Sequence, residues 1–218
     1  MAKETYVKSH NEDISAAREK IMQAAVKLFA VNGLDGTSTR DIAKGSGLNI
    51  SLISYYFGGK VGLYKTVIRE HMQSFKDQAD LVMSKVSPDN LTAEVFIQEI
   101  GNAIDVILEK RKTDKCMMMI MMRERLEGLP HARELHEEII APSAEKLVHL
   151  IRMAQENSIV KKDINPYTFF SLLVESIWGF ISVSECGLSL HKQAHKVKKN
   201  TEEFKSAVMD IFLKGILK

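Results

Sequence analysis

Apolar residues recur at intervals of three and four along most of this chain, which is the spacing of a helix face and not of a strand. Only four prolines and twelve glycines interrupt its 218 residues, so long helices are expected. The pattern predicts an all-α fold of about nine helices. The predicted helices cover residues 14–32, 39–44, 50–57, 60–86, 91–110, 114–127, 131–157, 166–187 and 201–217.

Several residues mark predicted helix ends. Gly33 is placed to end the first helix in a left-handed conformation, and Ser38 to cap the second through a capping box with Asp41. Pro142 lies inside the seventh predicted helix and should kink or split it. Asn165 followed by Pro166 is an N-cap followed by a first-turn proline.

Composition limits the classes of protein. The chain has 45% hydrophobic and 27% charged residues, and no apolar stretch is long enough to span a bilayer. Its polar N-terminus is neither a signal nor a transit peptide, so we expect a cytoplasmic protein with no membrane partner. Cys116 and Cys186 are then expected to be reduced, buried thiols. A net charge of +2 is too small to hold DNA by charge alone, so any DNA binding must depend on a local motif.

Such a motif lies near the N-terminus. Two short predicted helices are separated by the turn Gly45-Ser46-Gly47 and are packed on a longer one, which is typical of a helix-turn-helix. One helix of this size fits the major groove of B-DNA while the preceding helix crosses the backbone. The division predicted is a three-helix DNA-binding head over residues 1–60 and a larger ligand-binding and dimerisation bundle over residues 61–218.

The sequence TSTRDIAKGSGLNISLISYYFGGKVGLY, which covers Thr37–Tyr64, resembles the signature of the TetR/AcrR family. Leu28, Phe29 and Gly33 also stand where that family has them, and SYYFGGKVGLY is most similar to one of its subgroups. The resemblance implies a homodimeric repressor that binds a palindromic operator in the nucleoid and is released by a small-molecule effector. A transcriptional activator, or a regulator that needs no ligand, is the alternative on the same fold.

The resemblance also implies roles for individual residues, and each role is chemically sensible. Thr39, Arg40, Tyr56 and Lys60 would hold phosphates on either side of the recognition helix. The candidates for base contacts are Asn49, Ile50, Ser51, Ser54 and Tyr55. Ile50 would meet a thymine methyl group, and Asn49 would read adenine or bind a phosphate. Ser54 replaces a tyrosine common in the family, which shortens that contact. The core of the head would contain Ile42, Ala43, Leu48, Ile53 and Phe57.

A head this small needs a second copy, so a dimer surface is expected. The last two predicted helices are apolar on most sides, and the resemblance implies that they pair with their mates as a four-helix bundle. The residues predicted at this interface are Phe170, Val174, Ile181, Phe204, Val208, Ile211 and Phe212. A single buried monomer core explains the same apolarity.

The methionine-rich run from Cys116 to Met122 suits a surface that adapts to an apolar effector, but equally a gap-filling core. Met118 and Met122 share one helical face. Phe75, Trp178, Arg123 and Glu175 complete the predicted ligand residues. The two charged residues would pair with each other, contact a ligand or reach solvent.

Other chemistry is weakly signalled. Gly58-Gly59-Lys60 resembles part of a phosphate-binding loop, but the first glycine and the final Ser/Thr of that motif are missing. His191 and His195 have the spacing of metal ligands on a helix, and a solvated loop is the favoured interpretation. We therefore expect no enzyme, no catalytic residue, no metal and no cofactor.

Overall fold

The computed structural model describes residues 2–83, 87, 90–184 and 201–217, and in this part of the chain every regular element is a helix. One isolated bridge pairs Val160 with Leu217. None of the described helices is long and apolar enough to cross a membrane. The helices are α1 (Ala2–Asn32), α2 (Thr39–Ser46), α3 (Ser51–Phe57), α4 (Lys60–Met83), α5 (Ala93–Thr113), α6 (Lys115–Leu126), α7 (Arg133–Leu135), a π-helical turn (His136–Ile140), α8 (Ala141–Glu156), α9 (Pro166–Ser184) and α10 (Thr201–Leu213).

The all-α prediction is confirmed, and most helix ends lie within a few residues of the predicted positions. The largest error concerns α1, which begins at Ala2 and not at Ile14. Residues 2–13 contain no glycine or proline, so nothing breaks the helix there. Cys116 is only partly buried, so the burial predicted for it is wrong. The predicted ends of the helices at 86 and 187, together with Cys186, His191 and His195, lie outside the described residues.

The helix predicted over residues 131–157 is interrupted just before Pro142, so the break predicted from this proline is confirmed. The chain forms the short α7, then one π-helical turn, and then α8. Pro142 lies in the first turn of α8, where its missing N–H breaks no hydrogen bond within the helix. Asn165 caps α9 as predicted, because its Oδ1 accepts from the backbone N–H of Tyr167 at 3.0 Å and of Thr168 at 3.1 Å.

The chain divides into two compact units. The first contains Met1–Ser74 and Arg111–Ile139, and the second contains Phe75–Lys110 and Ile140–Lys218. The units therefore do not follow a division at residue 60, because α4 belongs to both and α6 belongs to the first. The functional division into a DNA-binding part and a ligand-binding part stays a prediction.

The first unit is built around α1, whose apolar face packs on the short helices and on the start of α4. Its buried side chains include Ile21, Ala25, Phe29, Ile42, Ile53, Phe57, Leu63, Tyr64, Val67 and Ile68. Of the predicted core of the head, Ile42, Ile53 and Phe57 are buried. Ala43 and Leu48 are only partly buried.

The second unit has its own core, to which α5, α8, α9 and α10 contribute. Its buried side chains include Phe96, Ile100, Ile104, Val148, Ile151, Phe169, Leu173, Ile177 and Val208. One polar cluster joins α4 to α8: the Asp80 carboxylate accepts from Lys76 Nζ at 2.8 Å, Lys146 Nζ at 2.7 Å and Ser143 Oγ at 2.9 Å. Burial alone would raise the pKa of Asp80, but these three hydrogen bonds outweigh it and hold the pKa at about 2.

Candidate nucleic-acid interface

The N-terminus of α2 is closed by the predicted capping box. Asp41 N donates to Ser38 Oγ at 3.1 Å, and Ser38 N donates to the Asp41 carboxylate at 3.3 Å. The side-chain hydrogen bond from Ser38, followed by its backbone hydrogen bond, lowers the pKa of Asp41. Thr39 and Arg40, the two residues after Ser38, are predicted phosphate contacts. Thr39 is half-buried and Arg40 is exposed. The cap therefore fixes the N-terminal end of α2, where Thr39 and Arg40 lie.

The turn between α2 and α3 depends on Gly47. This residue has φ +69°, and its N–H donates to the carbonyl of Ala43, which ends α2 in a left-handed conformation. Leu48 N also donates to that carbonyl, at 3.3 Å. The glycine predicted in the turn thus ends α2, and α3 begins four residues later at Ser51.

Asn49 has a role that the sequence argument missed. Its Oδ1 accepts from both the backbone N–H and the hydroxyl of Ser51, each at 2.9 Å. The side chain therefore satisfies a free donor at the start of α3, as an N-cap does. The signal in the sequence was an asparagine two residues before a serine at the predicted start of a helix.

The outer face of α3 carries the remaining predicted base contacts. Ile50, Ser51, Ser54 and Tyr55 are all exposed and fall on one arc of the helix, with Tyr55 78% and Ile50 42% exposed. Ile53 is fully buried and Phe57 is nearly so, and these two residues, four apart, share one face of α3. The short helix is thus anchored by two side chains and presents four others outward.

Tyr56 at the end of α3 and Lys60 at the start of α4 are the other predicted phosphate contacts, and both side chains also make contacts within the protein. Lys60 Nζ donates to the carbonyl of Leu34 at 2.7 Å, which ties the start of α4 to the loop after α1. Tyr56 is half-buried, and its ring contacts the rings of Tyr55 and Phe57 at centroid distances of 5.0 and 6.2 Å. An ammonium group has three donors, so Lys60 retains two for a phosphate.

Arg18 supports the end of α3 and was not predicted to do so. Its guanidinium lies over the Phe57 ring, 5.5 Å from the centroid, and pairs with Glu70 of α4 at 2.8 Å. Both members of the ion pair are close to half exposed, so the pair adds little stability by itself. It does join α1, the end of α3 and α4 at one point.

The end of α6 is joined to the head by polar contacts. Arg123 Nη1 donates to the carbonyl of Phe29 at 3.0 Å, near the end of α1. The carboxylate of Glu124 is 1% exposed and accepts from the backbone N–H of His131 at 3.0 Å and of Ala132 at 3.1 Å. It also accepts from Tyr64 of α4; burial first, and then the charge and hydrogen bond of Glu124, raise the pKa of Tyr64.

The predicted ligand residues are divided between the units. Met118, Met122 and Arg123 belong to the first, and Phe75, Glu175 and Trp178 belong to the second. Met118 is buried, and Met122 is partly buried. A surface groove of about 370 Å³ in the second unit is lined by other residues, among them Ile97, Met209 and Leu213. A common effector pocket for the six predicted residues stays a prediction.

The predicted dimer residues differ in what they offer a partner. Ile181, Phe204 and Val208 are already buried within the chain, at 1%, 8% and 7% exposure, so they have almost no surface left to bury. Ile211 is 74% exposed, and Phe170, Val174 and Phe212 are partly buried. Leu172 of α9 was not in the predicted set and is 59% exposed.

Comparisons with known proteins agree with this geometry. Residues 21–67 match the model of the bacterial regulatory proteins of the tetR family. The chain is 36% identical over 83 residues to the HTH-type transcriptional regulator YttP of Bacillus subtilis, which covers 38% of this chain and only 40% of that protein. It is 26% identical over 203 residues to the HTH-type transcriptional repressor NicS of Pseudomonas putida, which covers 91% and 92% of the two chains.

A solved structure shows the same fold. The chain superposes with a TM-score of 0.69 on a transcriptional regulator from Saccharomonospora viridis in complex with choline, at 17% identity over 94% of this chain and 99% of that one. The likeness to one subgroup through the SYYFGGKVGLY segment stays a prediction. The capped α2, the glycine turn and the exposed arc of α3 all lie within residues 21–67, the segment that matches the model of the tetR family of bacterial regulatory proteins.

Proposed function

We propose that this chain is a transcriptional repressor that binds a palindromic operator as a homodimer and is released by a small-molecule effector. The observation that carries the proposal is the exposed arc of α3, held outward by buried Ile53 and Phe57 in a domain that matches the tetR family. A relative that matches over 91% of the chain is named a repressor, which favours repression over activation. The protein would act in the cytoplasm, on the nucleoid.

The need for two copies follows from the size of the reading surface. α3 has seven residues and the whole chain has a net charge of +2, so one head supplies few base contacts and little general attraction to phosphates. Two heads that lie one helical turn apart on DNA double the contacts and read an inverted repeat. The exposed apolar side chains Leu172 and Ile211 are the best candidates for the contact between copies.

Release by an effector requires two states with different affinities for DNA. α4 contributes to both compact units, so it is the element through which ligand binding in the predicted pocket would change the spacing of the heads. The ligand can shift this equilibrium only by its differential affinity for the two states. Because the predicted ligand residues include Met118, Met122, Phe75 and Trp178, we expect an effector that is at least partly apolar.

The test is a selection of random duplexes by the purified full chain, with binding then followed against salt. Enrichment of an inverted repeat is the expected result. Weak binding with no enriched sequence, both before and after the protein is denatured, stripped of small molecules and refolded, would refute the proposal. Refolding matters because a retained effector would hold the protein off DNA.

A matched pair of variants tests the position of the head. Arg40→Ala removes an exposed cation at the start of α2, so affinity should fall for all sequences and the salt dependence should flatten. With one phosphate contact per head, the slope of log K against log salt should decrease by about 2 for a dimer. Lys27→Ala removes an exposed cation from α1 and should leave the slope unchanged. Equal effects would mean that α2 does not face DNA.

A further inference from the structure

The reading face of α3 lacks the side chains that make two-point contacts to bases. Its sequence, SLISYYF, contains no arginine, lysine, asparagine, glutamine or carboxylate. Recognition of guanine by a paired contact needs Arg or Lys, and paired recognition of adenine needs Asn or Gln. The helix must therefore distinguish base pairs by hydroxyl groups or by apolar contact.

Asn49 precedes α3 but cannot supply the missing paired contact. Reading adenine requires the amide oxygen to accept from N6 while the amide nitrogen donates to N7. In this structure both lone-pair directions of Asn49 Oδ1 are used by the backbone N–H and hydroxyl of Ser51. Because a backbone N–H must donate, the atom that it meets is the oxygen. Only the NH₂ group remains, and it suits a phosphate oxygen.

The same hydrogen bond restricts Ser51. Its hydroxyl proton points to Asn49, so Ser51 Oγ can only accept from a base. Ser54 has an exposed hydroxyl that offers a single contact. A single acceptor such as Ser51 Oγ does not distinguish adenine from cytosine, and the Ser54 hydroxyl tolerates more bases because it both donates and accepts. These two serines consequently carry little discrimination.

The apolar surface on the arc is larger. Ile50, the N-cap residue just before α3, is 42% exposed, and Tyr55 is 78% exposed. The thymine C5-methyl is the one apolar group that a normal base pair presents in the major groove. We propose that thymine methyl groups supply most of the sequence information read by α3, with Ile50 as the contact in each half-site and Asn49 as a phosphate donor. This inference rests on the proposed function.

The test uses the inverted repeat enriched by the full chain. Thymine is replaced by deoxyuridine one position at a time, which removes the methyl group and keeps every hydrogen-bonding atom. Burial of one carbon group is worth about 0.8 kcal/mol, so one position should weaken binding about fourfold. The symmetric pair of replacements in both half-sites should weaken it roughly fifteenfold.

Variants assign the contact. Ile50→Ala should make binding insensitive to uracil at one position, whereas Ser54→Ala on the same arc should leave the uracil effect unchanged. Asn49→Asp keeps the cap oxygen that Ser51 needs, and so keeps the fold, but removes the NH₂ donor. It should weaken binding to all sequences without changing the preferred base at any position.

The outcomes separate the two proposals. An enriched repeat in which no uracil replacement changes the affinity, or in which Ile50→Ala keeps full sensitivity, would overturn this inference and leave the proposed function intact. A changed base preference in Asn49→Asp would also overturn it, since it would make Asn49 a base reader. Absence of any enriched repeat would remove the proposed function, and this inference with it.

Discussion

Replacement of Glu124 by alanine tests whether the buried carboxylate holds the end of α6 to the loop that follows it and to the start of α4. The side chain is 1% exposed and accepts from two backbone N–H groups, from the Tyr64 hydroxyl and from His131 Nδ1 at 3.2 Å. Each hydrogen bond to a charged group contributes about 1.5–3 kcal/mol, and buried donors without a partner cost about as much. Counting only the two backbone donors, we expect Glu124→Ala to lower the free energy of unfolding by about 4 kcal/mol.

Two milder variants divide this loss. Glu124→Gln keeps one oxygen for the backbone donors, and its new NH₂ group can donate to His131 if the ring changes tautomer, so the loss should be about 1 kcal/mol. Tyr64→Phe removes a single donor and should also cost about 1 kcal/mol. Because Tyr64 and Glu124 share one hydrogen bond, the double variant Tyr64→Phe, Glu124→Ala should lose less than the sum of the single losses.

Urea unfolding followed by circular dichroism, at one fixed protein concentration, measures these differences. Glu127→Ala is the matched control, because Glu127 follows the same helix end and is exposed. Its cost should stay below about 0.5 kcal/mol. If Glu124→Ala lost less than about 1 kcal/mol, the carboxylate would not be the acceptor for these buried donors, and the reasoning would fail.

Three further predictions follow from single contacts. The pKa of Asp80 is about 2 in the fold and about 3.9 when unfolded, so the ionised side chain contributes about 1–2 kcal/mol of stability at neutral pH, after a discount for partial exposure. This contribution is lost as the pH falls from about 4 to about 2. In urea titrations at several pH values, the stability of Asp80→Asn should therefore approach that of the parent over this window. Leu172→Glu combined with Ile211→Glu should shift the mass measured by light scattering from dimer to monomer, whereas Val31→Glu, at a site 71% exposed in the first unit, should not; an unchanged mass would place the dimer contact elsewhere. Lys60→Ala should decrease the salt dependence of DNA binding and should also lower the stability to urea by about 1 kcal/mol, because the variant lacks the hydrogen bond to the loop after α1. A decreased salt dependence with unchanged stability would mean that this hydrogen bond is not formed in solution.

Periodicity and turn chemistry predicted most of the fold, because both act over a few residues. The capping box at Ser38, the proline at the start of α8 and the cap at Asn165 are all local, and all three are confirmed. The start of α1 was missed because residues 2–13 have no apolar face that would mark them as a helix. The π-helical turn before α8 was missed because its hydrogen bonds depend on how α7 meets α8, which no short pattern specifies.

Burial in the last two helices shows a different limit. An apolar side chain in α9 or α10 can face the core, a partner or a ligand, and periodicity gives the same signal for each. The sequence therefore placed Phe204 and Val208 in the same predicted interface as Ile211, although the first two are buried within the chain and the third is not. Only the packing of α10 against its own unit separates them.

Some hydrogen-bonding groups of the head are used inside the protein, and this limits which groups of DNA the head can contact. Asparagine and lysine were predicted to contact DNA because of their chemistry, but part of that chemistry is already used inside the protein. Asn49 gives its oxygen to Ser51, and Lys60 gives one hydrogen to Leu34. Both Asn49 and Lys60 therefore have only donors left, and donors suit phosphate oxygens. Base pairs must then be distinguished by exposed side chains that make no such hydrogen bonds inside the protein. Among these, Ile50 is the side chain that a single group in the major groove, the thymine methyl group, matches.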